Sequence, residues 1–567
     1  MPDLAHLLAA SSSLEAGLAM TRYYPLRHMA RQPSPDSNSW QNDGQPYIWD
    51  RKHKVWRSWA LTNAQWQAGD GFPKTSWGEY VGASLGQMIP TVTRIDRDTA
   101  PAQTLWSGGL YVDWDDHLGW GAGTVFYYIA APDPVYQSCL LYVAPELGIT
   151  PRLIGTVIYN QDIPPAWTNS GRDFRDFRLF WDEDHNQLVM VACMGQNFGF
   201  FTSTDGMSWT ARSPLAGPGP LIECPSLQKI KLRDRQGRAT DQTRWCLIGC
   251  VQGAWDDEVI TNECCIYWVG NWDGATFTPD AFYPQTWDWG RDSYSSVTGQ
   301  DEQGNTFCGA WLGNWQYCAV PMPWKGFQNI QGLPRQCWLQ PEPSGFLRLY
   351  TAPLADDREV YSLVCQNGLQ GIDAGSPYLW PSEIVTSGTG VCFRLDITLM
   401  QMGGAWPDQV LLQIRTGTIP EGQAHAGNYH MDFLVDFKDQ KLLIDRTHSG
   451  WELPNYSANP GSPSPPDHKT YNPWSTPTPV PMEPKPRVVN SVLQAAVRDD
   501  PVPAGQLTTM DAPTKRLTLL VDACSVELFV DGGRTSASTL FFPPDVCQGL
   551  SLTTTGPVVA SAVVSLY

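Results

Sequence analysis

The sequence predicts an all-β protein in which a propeller-like unit precedes a β-sandwich. Short runs of alternating or continuous apolar residues recur roughly every 8–12 residues, bounded by turn residues, and almost no stretch could hold a long helix. Glycine and proline number 50 and 47 in 567 residues, a turn-rich composition that suits strands better than helical bundles. The apolar runs also fall into two sets, separated by a change of composition near residues 338–352.

Each segment has its own justification. Residues 1–22 read as an N-terminal extension or short amphipathic helix. They carry no basic n-region and place Asp3 inside what would be the apolar stretch, which makes a poor signal peptide and favours a cytoplasmic protein, with non-classical secretion left open. Residues 23–338 read as the propeller unit, with strands such as QPYIWD (45–50), TVFYYIAA (124–131), QLVMVACM (187–194) and CCIYWVG (264–270). STDGMSW (203–209) and NWDGATF (271–277) are two versions of one hairpin tip, each turning on Asp-Gly with an aromatic residue close by. The repeat suggests blades but leaves their number open. Residues 339–352 read as a linker. Residues 353–567 read as sandwich strands, including FRLDITLM (393–400), QVLLQIRT (409–416) and SVELFVDGG (525–533). Residues 454–486, rich in Pro, Ser, Thr and Asn, interrupt them as a surface insertion, with a lid or a dimer contact as lesser alternatives. A homo-oligomer through the sandwich is left open.

Composition narrows the function. Lys and Arg total 38 against 57 Asp and Glu, a net charge of −19, which argues against a protein that tracks nucleic-acid phosphates. No apolar run approaches about 18 residues, so a membrane span is not expected. The 26 tryptophans on an acidic, turn-rich chain suit a neutral polar ligand that stacks on rings, such as a sugar. The 14 cysteines are scattered through apolar runs without a CxxC pair, so buried free thiols are favoured over disulfides or a metal site. The histidines show no HxxxH or HxH spacing, so no metal and no His-based triad is expected. GASLG (82–86) matches the GxSxG nucleophile elbow, but Pro90 follows where that elbow needs a helix.

Three acids remain as candidates for chemistry. Asp43 lies in WQNDGQP, Asp176 in DFRDFRLFW and Glu223 in LIECPSL, each flanked by apolar or aromatic residues at the start of a different predicted blade. Taken singly, each reads as a turn cap, an ion-pair partner or an edge residue. Taken together they can share one cavity, because the innermost strands of a propeller converge on its axis. Glycosidic cleavage needs such a cluster. One carboxylate attacks or stabilises the oxocarbenium-like centre, and one carboxylic acid protonates the leaving oxygen.

At these residues the chain resembles glycoside hydrolase family 32, the β-fructofuranosidase group of invertases, inulinases, levanases and fructosyltransferases. WQNDGQP (40–46) resembles the family's WMNDPNG box, RDF (175–177) its RDP box and ECP (223–225) its EC box. WSGGLYVD (106–113), GRDSYSS (290–296), GAWLGNWQY (309–317), LLIDR (442–446) and SVELFVDGGRTSASTLFFP (525–543) resemble further boxes in the family's order. The resemblance implies a five-bladed propeller with a C-terminal sandwich, acting without a cofactor on sucrose or fructo-oligosaccharides. It implies Asp43 as nucleophile, Glu223 as acid/base and Asp176 as transition-state stabiliser. Asn42, Ser107, Arg175 and Trp311 would line the fructose pocket, with Trp106, Trp77 and Trp315 beside them and a possible sugar platform extended by Trp287 and Trp289. Gln41, Gly44, Gln45 and Pro46 depart from the first box, Phe177 replaces the RDP proline, and Ala60 stands where a substrate-binding Gln is usual. A different path for the loop around Asp43 and an altered acceptor side follow from these departures. A non-catalytic sugar-binding protein and an inverting arabinan or xylan hydrolase stay open as alternatives, as does the choice between water and a second sugar as acceptor.

Overall fold

The computed structural model describes residues 23–567 apart from 31–36, 68–72, 102, 133–136, 169–172, 220, 253–262, 316–317, 320–322, 324–325, 356–360, 424–425, 440, 451–477 and 482–513. The N-terminal extension 1–22 and most of the insertion 454–486 therefore lie outside the described residues. Within that insertion, Thr478–Pro481 is a strand paired with Lys441–Asp445.

Five four-stranded blades surround one axis. Blade I comprises Tyr47–Asp50, Val55–Asn63, Ser76–Gly82 and Ile89–Ile95, and blade II Gly108–Asp113, Thr124–Ala131, Ser138–Ala144 and Arg152–Tyr159. Blade III comprises Arg175–Asp182, Gln187–Met194, Asn197–Ser203 and Thr210–Ala216, and blade IV Leu221–Arg233, Ala239–Gln252, Glu263–Trp272 and Phe277–Pro279. Blade V comprises Ser293–Gln300, Thr306–Leu312, Arg335–Pro341 and Leu347–Pro353. Parallel pairing of Gly299 with Tyr47 and of Leu232 with Leu339 joins blade V to its two neighbours. The segment expected as a linker, 339–352, thus belongs to the outer hairpin of blade V. Its short Glu342–Phe346 turn between two alternating runs resembles a linker in composition only.

Blade strands are apolar on both faces because each blade packs between two others. In Gln187–Met194, residues Leu188, Met190, Ala192 and Met194 join a cluster with Phe126, Tyr128 and Leu141 of blade II. Val189, Val191 and Cys193 face the other way, onto Leu247, Val251 and Ile266 of blade IV. That two-sided burial explains the unbroken QLVMVACM run. The sandwich shows the opposite pattern. Phe393, Leu395, Ile397 and Leu399 alternate inward from a six-stranded sheet, against Val410, Leu412, Ile414, Met431, Phe433 and Val435 of a five-stranded one. All fourteen cysteines are buried thiols outside any disulfide, as expected. Among the described residues, no helix is long and apolar enough to cross a membrane.

The two domains meet along a polar seam. Trp287–Ser293 lies against Thr535–Leu540, where a Cβ on Gly290 would sit 1.7 Å from the Ser538 carbonyl oxygen. Only glycine permits that approach. Arg335 donates to Glu527 at 2.8 Å and pairs with Asp288 at 2.7 Å, while Thr539 and the Leu540 amide donate to Asp292 at 2.9 and 2.7 Å. The segment Tyr23–Ala30 closes over the seam, with His28 held between Asp522 at 2.9 Å and Glu527 at 3.0 Å.

Candidate active site

One residue from each blade reaches the same end of the axis. Asp43 sits in Trp40–Gly44, just before the inner strand of blade I, and Ser107 just before that of blade II. Asp176, Glu223 and Tyr294 sit near the starts of the inner strands of blades III, IV and V. The strand register explains how. Pairing shifts between Arg175 and Arg178, between Glu223 and Ser226, and between Tyr294 and Val297, a β-bulge at the same point of three blades. The residue after each shift begins is left-handed: Asp176 at φ 59°, Cys224 at 51° and Ser295 at 49°. Bulges re-aim side chains, and here the repeated bulge turns two successive residues of each blade into the axis.

The equivalent positions then join across the blades. Arg175 donates through Nε and Nη2 to Glu223 Oε1 at 3.0 Å, and Tyr294 donates to Glu223 Oε2 at 2.6 Å. One residue on, the Cys224 amide donates to Asp176 Oδ2 at 2.9 Å, and Cys224 Sγ lies 3.1 Å from Ser295 Oγ. Asp43 accepts from Ser107 Oγ at 2.6 Å and from Asn42 Nδ2 at 3.1 Å. A carboxylate oxygen of Asp43, one of Asp176 and the Cys224 sulfur lie within 4.8 Å of one another. The three acids named from the sequence therefore converge.

The electrostatics separate their roles. Burial raises the Asp43 carboxyl, and the Asp176 charge raises it further, while the bonds from Ser107 and Asn42 oppose both. Burial also raises Glu223, to about 7, against the Arg175 guanidinium and with the help of Asp176 and Asp43. A carboxylic acid that keeps its proton near neutrality, with 16% of its side chain exposed, can hand that proton to an incoming ligand. The same oxygens and the Cys224 sulfur have the spacing of a metal site. Burial and the adjoining carboxylates push that thiol far up, which leaves it protonated and a poor ligand.

The departures from the first box find partners. Gln45 donates to the Asp43 carbonyl at 3.1 Å and to Ser107 at 3.3 Å, and accepts from the Gly108 amide and Arg178 at 3.1 and 3.0 Å. Gln41 donates to the carbonyls of Met29 and Asn329 at 2.9 and 3.0 Å. Phe177 is buried against Phe174, with ring centroids 4.8 Å apart, so it serves the interface of blades II and III rather than the pocket. Ala60 packs between Tyr47 and Trp56.

Not every expected pocket residue is there. Asn42, Ser107 and Arg175 touch the acids, and the Arg175 guanidinium lies 5.9 Å from the ring centre of the part-exposed Trp106. Trp315 is part-buried against Trp311, and its amide donates to Glu263 at 2.6 Å. Trp77 and Trp311 are each 0% exposed and present no face to a sugar, because Trp77 packs between blades I and II and Trp311 inside blades IV and V. Trp287 and Trp289 bond through their backbones to Ser536 in the seam, which removes the proposed tryptophan platform on that side. Sequence reasoning passed over Tyr294, Asp173 and Gln45. Tyr294 stands at the same position in its bulge as Arg175 and Glu223 in theirs, a signal visible once the three bulge tripeptides RDF, ECP and YSS are aligned.

Comparison with known proteins decides the family. Residues 34–352 match the model of the glycosyl hydrolases family 32 N-terminal domain, and residues 408–566 that of the family 32 C terminal. The chain belongs to glycoside hydrolase family 32. It is thus a glycoside hydrolase, and its propeller-and-sandwich fold is the one the sequence predicts. It is 27% identical over 334 residues to the levanbiose-producing levanase of Bacillus subtilis, a stretch covering 57% of this chain and 60% of that protein. It is 23% identical over 445 residues to the extracellular exo-inulinase of Meyerozyma guilliermondii, covering 72% and 80%. In fold it is similar to a Schwanniomyces occidentalis fructofuranosidase variant complexed with fructosylnystose. The TM-score is 0.74 at 18% identity, over 96% of this chain and 98% of the other. Fructan 1-exohydrolase IIa of Cichorium intybus gives a TM-score of 0.65 at 15% identity, over 96% and 97%.

Proposed function

We propose that this family 32 member is a retaining β-fructofuranosidase that removes terminal β-linked fructose from sucrose or fructans. The observation that carries it is the convergence of Asp43, Asp176 and Glu223 from three blades, with Glu223 held protonated near neutral pH. In this reading Asp43 attacks the anomeric carbon as Glu223 gives its proton to the departing oxygen. The glycosidic bond breaks, and a covalent fructosyl ester forms on Asp43. Glu223, now ionised, takes a proton from water, whose oxygen displaces Asp43 and restores the free acid. Asp176 accepts hydrogen bonds from fructose hydroxyls that strengthen as the ring flattens. Arg175 fixes the Glu223 oxygen that it touches and leaves the other to Tyr294.

A second sugar can replace water in the last step, and transfer at high sucrose is part of the proposal. Incubation with sucrose, kestose, inulin and levan, with every product identified, tests the reading. Fructose should appear from terminal units, with glucose exceeding fructose only at high sucrose. Methanol as acceptor should give methyl β-fructofuranoside; the α anomer would overturn retention. No turnover of any of the four sugars over long incubation would favour a binding protein instead.

A further inference from the structure

The five inner strands that carry the acids at one end of the axis line a separate cavity at the other. It encloses about 310 Å³, at the small end of ligand pockets and enough for one or two sugar rings. Trp49, Trp114, Trp181 and Trp245 line it, one each from blades I, II, III and IV. From Asp176 to Trp181, and from Glu223 to Gln228, is five residues of strand, about 17 Å. Between the two ends the axis is crossed by Arg178, which donates to Gln45 and to the Gly44 carbonyl at 3.0 and 3.1 Å, and by the bonded pair Ser226 and Thr298. The two cavities are distinct.

Four buried polar atoms on residues lining this cavity have no hydrogen-bond partner: Arg178 Nε, Trp181 Nε1, Asp182 Oδ1 and Gln228 Oε1. Arg178 and Asp182 are 4% and 1% exposed. Buried polar atoms are rarely left unmatched, and lining residues that carry two such donors and two such acceptors, together with four indoles, suit a sugar: hydroxyls that both give and take, around apolar C–H faces. The charges do not select an ion. Three cations, Arg51, Arg178 and Lys229, stand against four carboxylates, Asp182, Glu183, Asp301 and Glu302, so neither sign dominates. Lys229 is already held by Asp184 at 2.6 Å.

We propose that this far mouth of the propeller is a second, non-catalytic carbohydrate site that takes a fructosyl unit of the substrate or of a polymer end. The choice of fructosyl ligand rests on the proposed activity; the site itself does not. Kestose titrated calorimetrically into the Glu223→Gln enzyme should show two classes of site. Adding Gln228→Leu, close in size to the native side chain, or Trp181→Phe, which removes the indole N–H and one ring, should weaken one class at least tenfold and leave the other unchanged. The single variants Gln228→Leu and Trp181→Phe should hydrolyse sucrose at the native rate. Retardation of Glu223→Gln in levan-containing gels, lost in the double variants, would assign the site to polymer; two kestose classes without retardation would assign it to short sugars. A single class in Glu223→Gln, or two classes that neither far-mouth change affects, would overturn the site. Failure of the proposed activity reads differently: the native enzyme would release no fructose from kestose, whatever the number of sites.

Discussion

Two groups of buried charges in this molecule are built from the same residue types and behave in opposite ways. In the seam, burial would raise Asp522 and Glu527, but His28 with the Leu26 and Arg27 amides holds the first, and Arg335 with His28 the second, at about 2. Burial would likewise lower His28, and its two carboxylate partners carry it instead to about 9. In the pocket, Arg175 is shared between Glu223 and Asp173, at 3.0 and 2.6 Å, while Asp43 leans on neutral donors. There burial wins, and Asp43 and Glu223 are raised. The seam neutralises each acid and spends the charges on holding two domains together. The pocket leaves acids under-compensated and keeps a transferable proton. The difference lies in what surrounds each carboxylate: in the pocket neighbouring carboxylates add to burial, whereas in the seam the bonds and charges of cations and amides outweigh it.

The largest effect should come from breaking the pocket. Asp43→Ala, or Glu223→Ala, should lower turnover by about a thousandfold or more, roughly 4 kcal/mol of barrier. Melting should not fall, since each change removes a raised acid from a crowded site. A collapse of melting with activity would make these acids structural and erase the contrast. Breaking the seam should do the reverse. Glu527→Gln leaves Arg335 and His28 short of an anion and should cost about 3 kcal/mol in denaturant unfolding. Turnover per folded molecule should stay native. Tyr294→Phe is smaller: it removes the 2.6 Å bond that steadies the ionised form of Glu223. Turnover should fall about tenfold, as for loss of a charge-assisted hydrogen bond. The alkaline limb of kcat/KM, set by the Glu223 proton near pH 7, should move to higher pH. A limb that moves down would remove Tyr294 from contact with the acid.

What the sequence disclosed follows from the same physics. Asp43, Asp176 and Glu223 were legible because ions stand out in apolar runs, and their boxes occur in order. The two domains were legible from the change of composition near 338–352 and the fresh set of alternating strands after it, such as FRLDITLM (393–400). The hairpin at 339–352 was not, since Pro341 and the Glu342–Phe346 turn break its alternation. Trp77 and Trp311 misled because an indole is as suited to a blade core as to a sugar. The charges of the seam were invisible for a different reason. Glu527 and Arg335, or His28 and Asp522, are hundreds of positions apart, and nothing local distinguishes a buried ion pair from a chance surface charge. Gln45 was read only as a departure from a box, although its amide ties Asp43, Ser107 and Arg178 together.

The subtlest expectation separates the two clusters by pH alone. Asp522 and Glu527 have folded values below their unfolded ones, so their stabilisation is complete above about pH 4.5 and is lost as pH falls towards 2. His28 has a folded value above its unfolded 6.5, so its contribution is complete below pH 6.5 and is lost as pH rises through 9. Between about 4.5 and 6.5 the seam is therefore silent. Glu223 is not: its folded value of about 7 exceeds the ordinary 4.5, so the folded state holds a proton that the unfolded state has released. Stability must then fall as pH rises from 4.5 towards 7. Melting temperatures across that interval should decline in the native protein and in Glu527→Gln. The decline should be shallower in Glu223→Gln, which has no proton to lose. An identical slope in Glu223→Gln would mean that the acid is already ionised in the folded state, and the pocket would then be compensated in the way the seam is.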